Sequence, residues 1–159
     1  MYVSAIGQDS HPFEPHDAGK PLRLGGIVIP GCVGLAGNSD ADVVLHALTN
    51  AVSGIHGTPI LGKISDDLCL KQGIKDSAVY LKKALDLLKT SVLVHVSVSI
   101  EAQRPKLAEH INKMRESIAG LCGIPVAHVA ITATSGEGLT AFGKGEGIQA
   151  LAVVSARCE

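Results

Sequence analysis

Between residues 92 and 101 a branched apolar side chain falls on every second position. Val92, Val94, Val96, Val98 and Ile100 alternate with Leu93, His95, Ser97, Ser99 and Glu101. A period of two sends the first set to one side of a β-strand and the second set to the other. One side is apolar and must be covered. The other is polar at His95, Ser97, Ser99 and Glu101, so it can face solvent or a second subunit. A strand satisfies its backbone only beside other strands, and a sheet with one apolar face needs helices against it.

The rest of the chain supplies both. Tyr2 to Gln8 reads as a first strand. Leu22-Arg23-Leu24, Gly25-Gly26 and Ile27-Val28-Ile29 read as a small hairpin, because paired glycines supply the positive φ angles of a tight turn. Val44, Leu45, Leu48, Val52 and Ile55 recur at helical spacing, which predicts a helix over about 40–54 with Ser39 or Asp40 as its N-cap. His56 to Asp76 is a long connection of the kind that serves as a binding loop or lid. A second helix begins at Ser77 with Val79, Tyr80, Ala84, Leu87 and Leu88 in a stripe. Pro105 suits the first turn of a third helix, whose buried face is Leu107, Ile111, Met114, Ile118 and Leu121. Val129, Ile131 and Ala133 form another strand, and 148–157 the last. The expected fold is α+β, an α/β sandwich: a mixed four-stranded sheet plus the hairpin, with helices on one face. At 159 residues the chain is read as a single domain, 1–159, able to bury a substantial core.

Charge and composition exclude some functions. Lys and Arg total 14 against 15 Asp and Glu, so no basic excess points to nucleic acid. Trp is absent and aromatics are 3% of the chain, which argues against base-stacking platforms. The four cysteines, at 32, 69, 122 and 158, form no CxxC pair and suggest reduced thiols. The N-terminus lacks the pattern of a signal peptide, and no apolar run approaches the ~18 residues that span a membrane. The expectation is a cytoplasmic protein without a membrane partner, or a plastid-type organellar one after transit-peptide removal.

Chemistry gathers at two places. Asp9 and His11 point to the same side of an extended chain and could supply two metal ligands, although such a pair is more often an ordinary loop feature. Ser39-Asp40-Ala41-Asp42-Val43-Val44-Leu45-His46-Ala47 adds an imidazole at the start of a helix. Asp42, His46 and Asn50 are spaced to share a helix face, and the ordinary reading is a solvated polar stripe. The sharper reading makes His46 the third ligand. Two histidines and one carboxylate, with a fourth position open, is the pattern of a catalytic zinc site.

Three further stretches are candidates. Thr134-Ser135-Gly136-Glu137 ends a strand in hydroxyls and a carboxylate, suited to phosphate and Mg²⁺, or simply a polar turn. Ala102-Gln103-Arg104-Pro105-Lys106 leads to a helix N-terminus that could meet an anion or the polar edge of a base. Lys144, between Gly143 and Gly145, could meet an anion or be a turn lysine.

Taken together and in order, these motifs resemble the 2-C-methyl-D-erythritol 2,4-cyclodiphosphate synthases of non-mevalonate isoprenoid biosynthesis. The resemblance runs through Gly7-x-Asp9-x-His11, Gly25-Gly26-x-x-Ile29-Pro30, Ser39-Asp40-Ala41-Asp42-Val43-x-x-His46-Ala47, Ala102-Gln103-x-Pro105-Lys106, Thr134-x-x-Glu137 and Gly143-Lys144-Gly145-Glu146-Gly147-Ile148. It implies a homotrimer with sheets facing inward and active sites between subunits. The implied reaction converts 4-diphosphocytidyl-2-C-methyl-D-erythritol 2-phosphate to the 2,4-cyclodiphosphate with release of CMP.

The implied site follows residue by residue. Asp9, His11 and His46 hold one Zn²⁺ per subunit. Glu137 holds a second divalent cation, Mg²⁺ or Mn²⁺. Ala102, Arg104, Pro105, Lys106, Leu107 and Ala108 receive the cytosine, largely through backbone groups. Thr134, Ser135, Gly136 and Lys144 meet phosphate. The loop from Ile60, Leu61 and Gly62 to Cys69 covers the methylerythritol, with Asp67 on its hydroxyls. Asn38, beside Ser39, and Ser135 are the catalytic candidates.

Four positions depart from the common family pattern. Asn38 stands where relatives carry His, keeping a donor but no charge. Ile60 replaces an Asp that meets the ribose. Gln8 replaces Phe. Lys144 replaces Arg and loses its bidentate fork, which also bears on a prenyl diphosphate that relatives can carry in the trimer cavity. The alternative is a non-catalytic trimeric zinc protein that binds nucleotide or prenyl phosphate.

Overall fold

The computed structural model describes residues 1–16 and 18–158. In chain order the elements are β1 (Tyr2–Pro12), β2 (Pro21–Leu24), β3 (Ile27–Val33), α1 (Val43–His56), the short α2 (Lys63–Asp66), α3 (Ser77–Asp86), β4 (Val92–Glu101), α4 (Ile111–Cys122), β5 (Val129–Thr134) and β6 (Gly147–Arg157). Four strands form one mixed sheet in the order β1-β6-β4-β5, and β2-β3 form the separate hairpin. β6 runs antiparallel to both β1 and β4, while β4 and β5 are parallel. The helices cover one face, as the sequence leads one to expect. Gly25 and Gly26, at φ 62 and 83, make the hairpin turn.

The core lies between sheet and helices. Val96, Val98 and Ile100 of β4 and Ala150, Ala152, Val154 and Ala156 of β6 meet Leu45, Leu48 and Val52 of α1. The small side chains on β6 let α1 lie close. The opposite sheet face stays open and carries apolar residues as well as polar ones: Ile6 is 67% exposed, Val153 42% and Leu151 40%.

Four expectations are corrected. The alternation along β4 is interrupted by a register shift between Leu93 and His95, which inserts Val94 as an extra residue. Leu93 is therefore buried and Val92 is exposed, the reverse of strict alternation. Pro105 lies in a bend ahead of α4, whose first residue is Ile111, so it does not open that helix. Leu121 is 36% exposed and falls outside the buried face of Met114, Ile118 and Ala119. The N-cap of α1 is Asp42, not Ser39 or Asp40, because Asp42 accepts from Leu45 N at 3.0 Å.

Candidate metal centre and active-site cavity

One glycine sets the distance between α1 and β1. A Cβ at Gly7 would lie 2.1 Å from the Ala47 carbonyl oxygen and 2.3 Å from the Ala51 nitrogen. Only a hydrogen fits, so the helix backbone rests directly on the strand. Asp42 fixes the helix from its other end. Fully buried, it accepts from Gly25 N at 2.8 Å, Gly26 N at 2.7 Å and Leu45 N, tying helix to hairpin. Burial pushes its carboxyl pKa up, while the three amide donors oppose that rise. Asp42 is therefore a structural anchor, and the expected polar stripe of Asp42, His46 and Asn50 does not exist. Asn50 instead donates to the Gln8 carbonyl at 3.1 Å.

With the helix seated, His46 meets the side chains that β1 turns toward it. Asp9 Oδ2 lies 2.9 Å from His11 Nε2 and 3.0 Å from His46 Nδ1. The three ligand atoms lie within 4.8 Å of one another. Burial pushes the Asp9 pKa up, but hydrogen bonds from His11 and His46 outweigh it and bring the carboxyl to about 2. The bond to Asp9 holds the His11 pKa above its ordinary value against partial desolvation. The donor set fits zinc. Two imidazoles and one carboxylate converging in a partly buried cluster are a donor set that zinc accepts.

The far side of the His46 ring is also held. Nε2 lies 2.8 Å from Ser77 Oγ, and Ser77 donates in turn to Asp40. Asp40 also accepts from Ser77 N at 3.0 Å and from Asp42 N at 3.1 Å. Ala41 between the two aspartates has φ 54, so one carboxylate turns to α3 and the other to the hairpin. Lys20 Nζ donates to the Gly37 carbonyl at 3.0 Å and braces the loop from outside.

The triad opens into a cavity of about 310 Å³. Gly37, Asn38 and Ser39 line one wall, and Leu61, Gly62, Ser65, Asp66 and Cys69 the other, with Tyr80 behind. Cys69 Sγ donates to the Asn38 carbonyl at 3.2 Å and joins the two walls. Of the residues proposed from the sequence, Asn38, Ser39, Leu61 and Gly62 reach this cavity. Ile60 does not: its side chain is 2% exposed and belongs to the core. Asp67 is turned away and pairs with Lys71 at 2.7 Å, and Asp66 stands at the cavity instead. The neighbouring aspartates are equivalent in the sequence, and only the short α2 and the wider turn after it distinguish them.

The remaining proposed residues lie elsewhere. β1 and β5 are opposite edges of the sheet, separated by β6 and β4. At about 4.8 Å per strand they are roughly 14 Å apart. The registers Pro12↔Gly147, Glu101↔Gln149 and Glu101↔Thr134 put all these strand ends at one end of the sheet. There Thr134, Ser135, Glu137, Lys106, Ala108 and Lys144 are exposed. Glu137 has φ 52 in the turn Gly136–Gly138 and stands outside the metal-ligand group. Ala102 and Leu107 are buried, so only their backbone is presented. Arg104 stacks 4.0 Å from the Phe13 ring centroid and donates to the Gly145 carbonyl at 3.3 Å. None of these residues lines the cavity around the triad.

A family model described as the YgbB family matches residues 2–157. The chain belongs to the YgbB family. The 2-C-methyl-D-erythritol 2,4-cyclodiphosphate synthase of Chlamydia muridarum is 49% identical over 156 residues, covering 98% of this chain and 88% of that protein. The synthase of the same name from Chlamydia caviae is 44% identical, with 98% and 89% covered. Among solved structures, the bifunctional IspDF of Campylobacter jejuni superposes with a TM-score of 0.88 at 30% identity, over 98% of this chain and 42% of that one. A 2C-methyl-D-erythritol-2,4-cyclodiphosphate synthase in a CDP-bound form gives 0.80 at 31% identity, over 98% of this chain and 100% of that one. In this YgbB family chain the pieces quoted from the sequence thus fall into two groups at one end of the sheet: a candidate metal triad with its cavity, and an exposed set of turns beyond β4.

Proposed function

We propose that the chain is a cyclodiphosphate synthase. It converts 4-diphosphocytidyl-2-C-methyl-D-erythritol 2-phosphate to 2-C-methyl-D-erythritol 2,4-cyclodiphosphate and CMP. The observation that carries this reading is the Asp9–His11–His46 cluster opening into the cavity beside Asn38 and Ser39, in a chain with relatives of that name. An oxygen of the 2-phosphate attacks the β-phosphorus. The bond from that phosphorus to the bridging oxygen breaks, and the oxygen leaves with CMP. No water is consumed, and because the nucleophile is tethered, orientation and charge neutralisation suffice.

Asp9, His11 and His46 would hold Zn²⁺, which when bound supplies Lewis-acid polarisation of the diphosphate. Asn38 and Ser39 donate hydrogen bonds to the reacting phosphate. Asp66 takes the hydroxyls of the methylerythritol. Glu137 would hold Mg²⁺ or Mn²⁺, which when bound supplies charge neutralisation; Thr134, Ser135 and Lys144 bind the phosphates, and the backbone of 102–108 holds the cytosine. The strand order supports a homotrimer in which a neighbour supplies the Thr134–Glu137 turn, since one chain keeps that turn, after β5, about three strands from the triad on β1. The open sheet face with Ile6, Leu151 and Val153 is suited to facing other subunits. We read residues 1–159 as one domain acting in the cytoplasm. Among the described residues, no helix is long and apolar enough to cross a membrane.

Zinc-loaded protein with Mg²⁺ is expected to release CMP from the substrate. The His46→Ala variant should lose both zinc and turnover while keeping its circular dichroism spectrum. Normal CMP release by that variant would contradict the metal assignment.

A further inference from the structure

We infer that Ser77 and Asp40 are positioning residues for the metal ligand His46, acting through a directed hydrogen-bond chain. This rests on the metal reading given above. A hydroxyl has one proton and can also accept. Asp40, as a carboxylate, only accepts, and it takes the Ser77 proton. Ser77 Oγ must then receive its other bond, at 2.8 Å, from His46 Nε2–H. With a metal bound, when Nδ1 no longer donates to Asp9, that places the ring proton on Nε2 and leaves Nδ1 as the atom with a lone pair for the metal.

The hydrogen-bond chain has a buried centre and a half-buried end. Ser77 is fully enclosed, and Asp40 is held at both oxygens: Oδ2 by Ser77 N at 3.0 Å, and Oδ1 by Asp42 N at 3.1 Å as well as the Ser77 hydroxyl. Capping does not explain the hydroxyl. The N-cap of α3 is Asp76, which accepts from Ala78 N at 2.9 Å. Ser39 Oγ approaches the same His46 nitrogen only at 3.5 Å, too long to replace Ser77. Because Asp40 lies two residues from Asn38, the same contacts also tie the cavity wall to the metal ligand.

The test compares Ser77→Ala, Asp40→Asn, Ser77→Thr and Asp76→Ala with the parent protein by zinc competition against a chromophoric chelator. The zinc-loaded proteins are also compared by nitrogen-15 NMR of the His46 ring. Ser77→Ala and Asp40→Asn should weaken zinc about 10–100-fold. They should also speed solvent exchange of the Nε2–H signal. Ser77→Thr, which keeps the hydroxyl, should restore both readouts. Asp76→Ala should lower Tm through lost capping and leave both unchanged.

If Ser77→Ala and Asp40→Asn bind zinc as the parent does, with Nε2–H equally protected, the inference fails and the metal reading stands. If Asp76→Ala weakens zinc as much as Ser77→Ala, the effect is helix docking and the inference again fails. If the parent protein itself does not bind zinc, the metal reading fails and takes the inference with it.

Discussion

His11 carries the proton that a metal must displace. Its bond to Asp9 raises its pKa above the ordinary 6.5. Stability from this histidine is fully present below pH 6.5 and is lost as pH rises through its raised value. Asp9 behaves oppositely. Its carboxyl, lowered from 3.8 to about 2, contributes stability above 3.8 that is lost as pH falls through about 2. The metal-free pair thus stabilises the protein most between these limits, in mildly acidic solution. Zinc binding should reverse that advantage. Its affinity should fall by up to about tenfold per unit as pH drops below the raised His11 value. Calorimetry in buffers of different ionisation enthalpy should then detect about one proton released per zinc. A pH-independent affinity would remove His11 from the ligand set. The triad was legible in the sequence only when Asp9-x-His11 was read together with His46, since each piece alone has an ordinary explanation. Ser77 and Asp40 were not. Nothing in their spacing links residue 77 to residue 46, and only the docking of α3 beside α1 brings them together.

At the scale of elements, the site depends on how closely α1 approaches β1. Gly7→Ala would thrust a methyl into backbone atoms that have no rotamer to adopt. The variant should lose about 3 kcal/mol or more in urea unfolding. What still folds should bind zinc weakly, because His46 would be pushed off Asp9 and His11. Near-parent stability and affinity would mean that the close seat of the helix is not what assembles the ligands. Periodicity revealed the strands, the hairpin and the helices because each buries one face. It failed where a local exception overrode the period. The extra residue at Val94 reverses the sides of Val92 and Leu93. Three amides, two of them buried, select Asp42 over Ser39 and Asp40 as the cap, a preference that needs the hairpin to be in place. The same limit applies to Asp66 and Asp67, whose order at the cavity is set by a helical turn too short to leave a periodic signal.

The molecule as a whole keeps the metal-ligand cluster and the Thr134–Glu137 turn on opposite edges of one sheet, and the proposed trimer would bring such halves together between subunits. His46→Ala and Glu137→Ala should each be inactive alone. Refolded together at equal concentration they should regain about a quarter of the parent activity, because one interface in each mixed trimer pairs the two intact halves. Ile6→Lys on the open sheet face should shift the protein to smaller species in light scattering and abolish turnover with the zinc triad intact. Complete absence of complementation, with mixing verified, would place the whole site within one chain.

The most direct measurement is phosphorus-31 NMR of the zinc-loaded protein with 4-diphosphocytidyl-2-C-methyl-D-erythritol 2-phosphate and Mg²⁺. Cyclisation predicts CMP and a cyclic diphosphate appearing in equal amounts, with no ring-open monophosphate. A folded, zinc-loaded protein that leaves the substrate unchanged, or hydrolyses it to open products, would contradict the account.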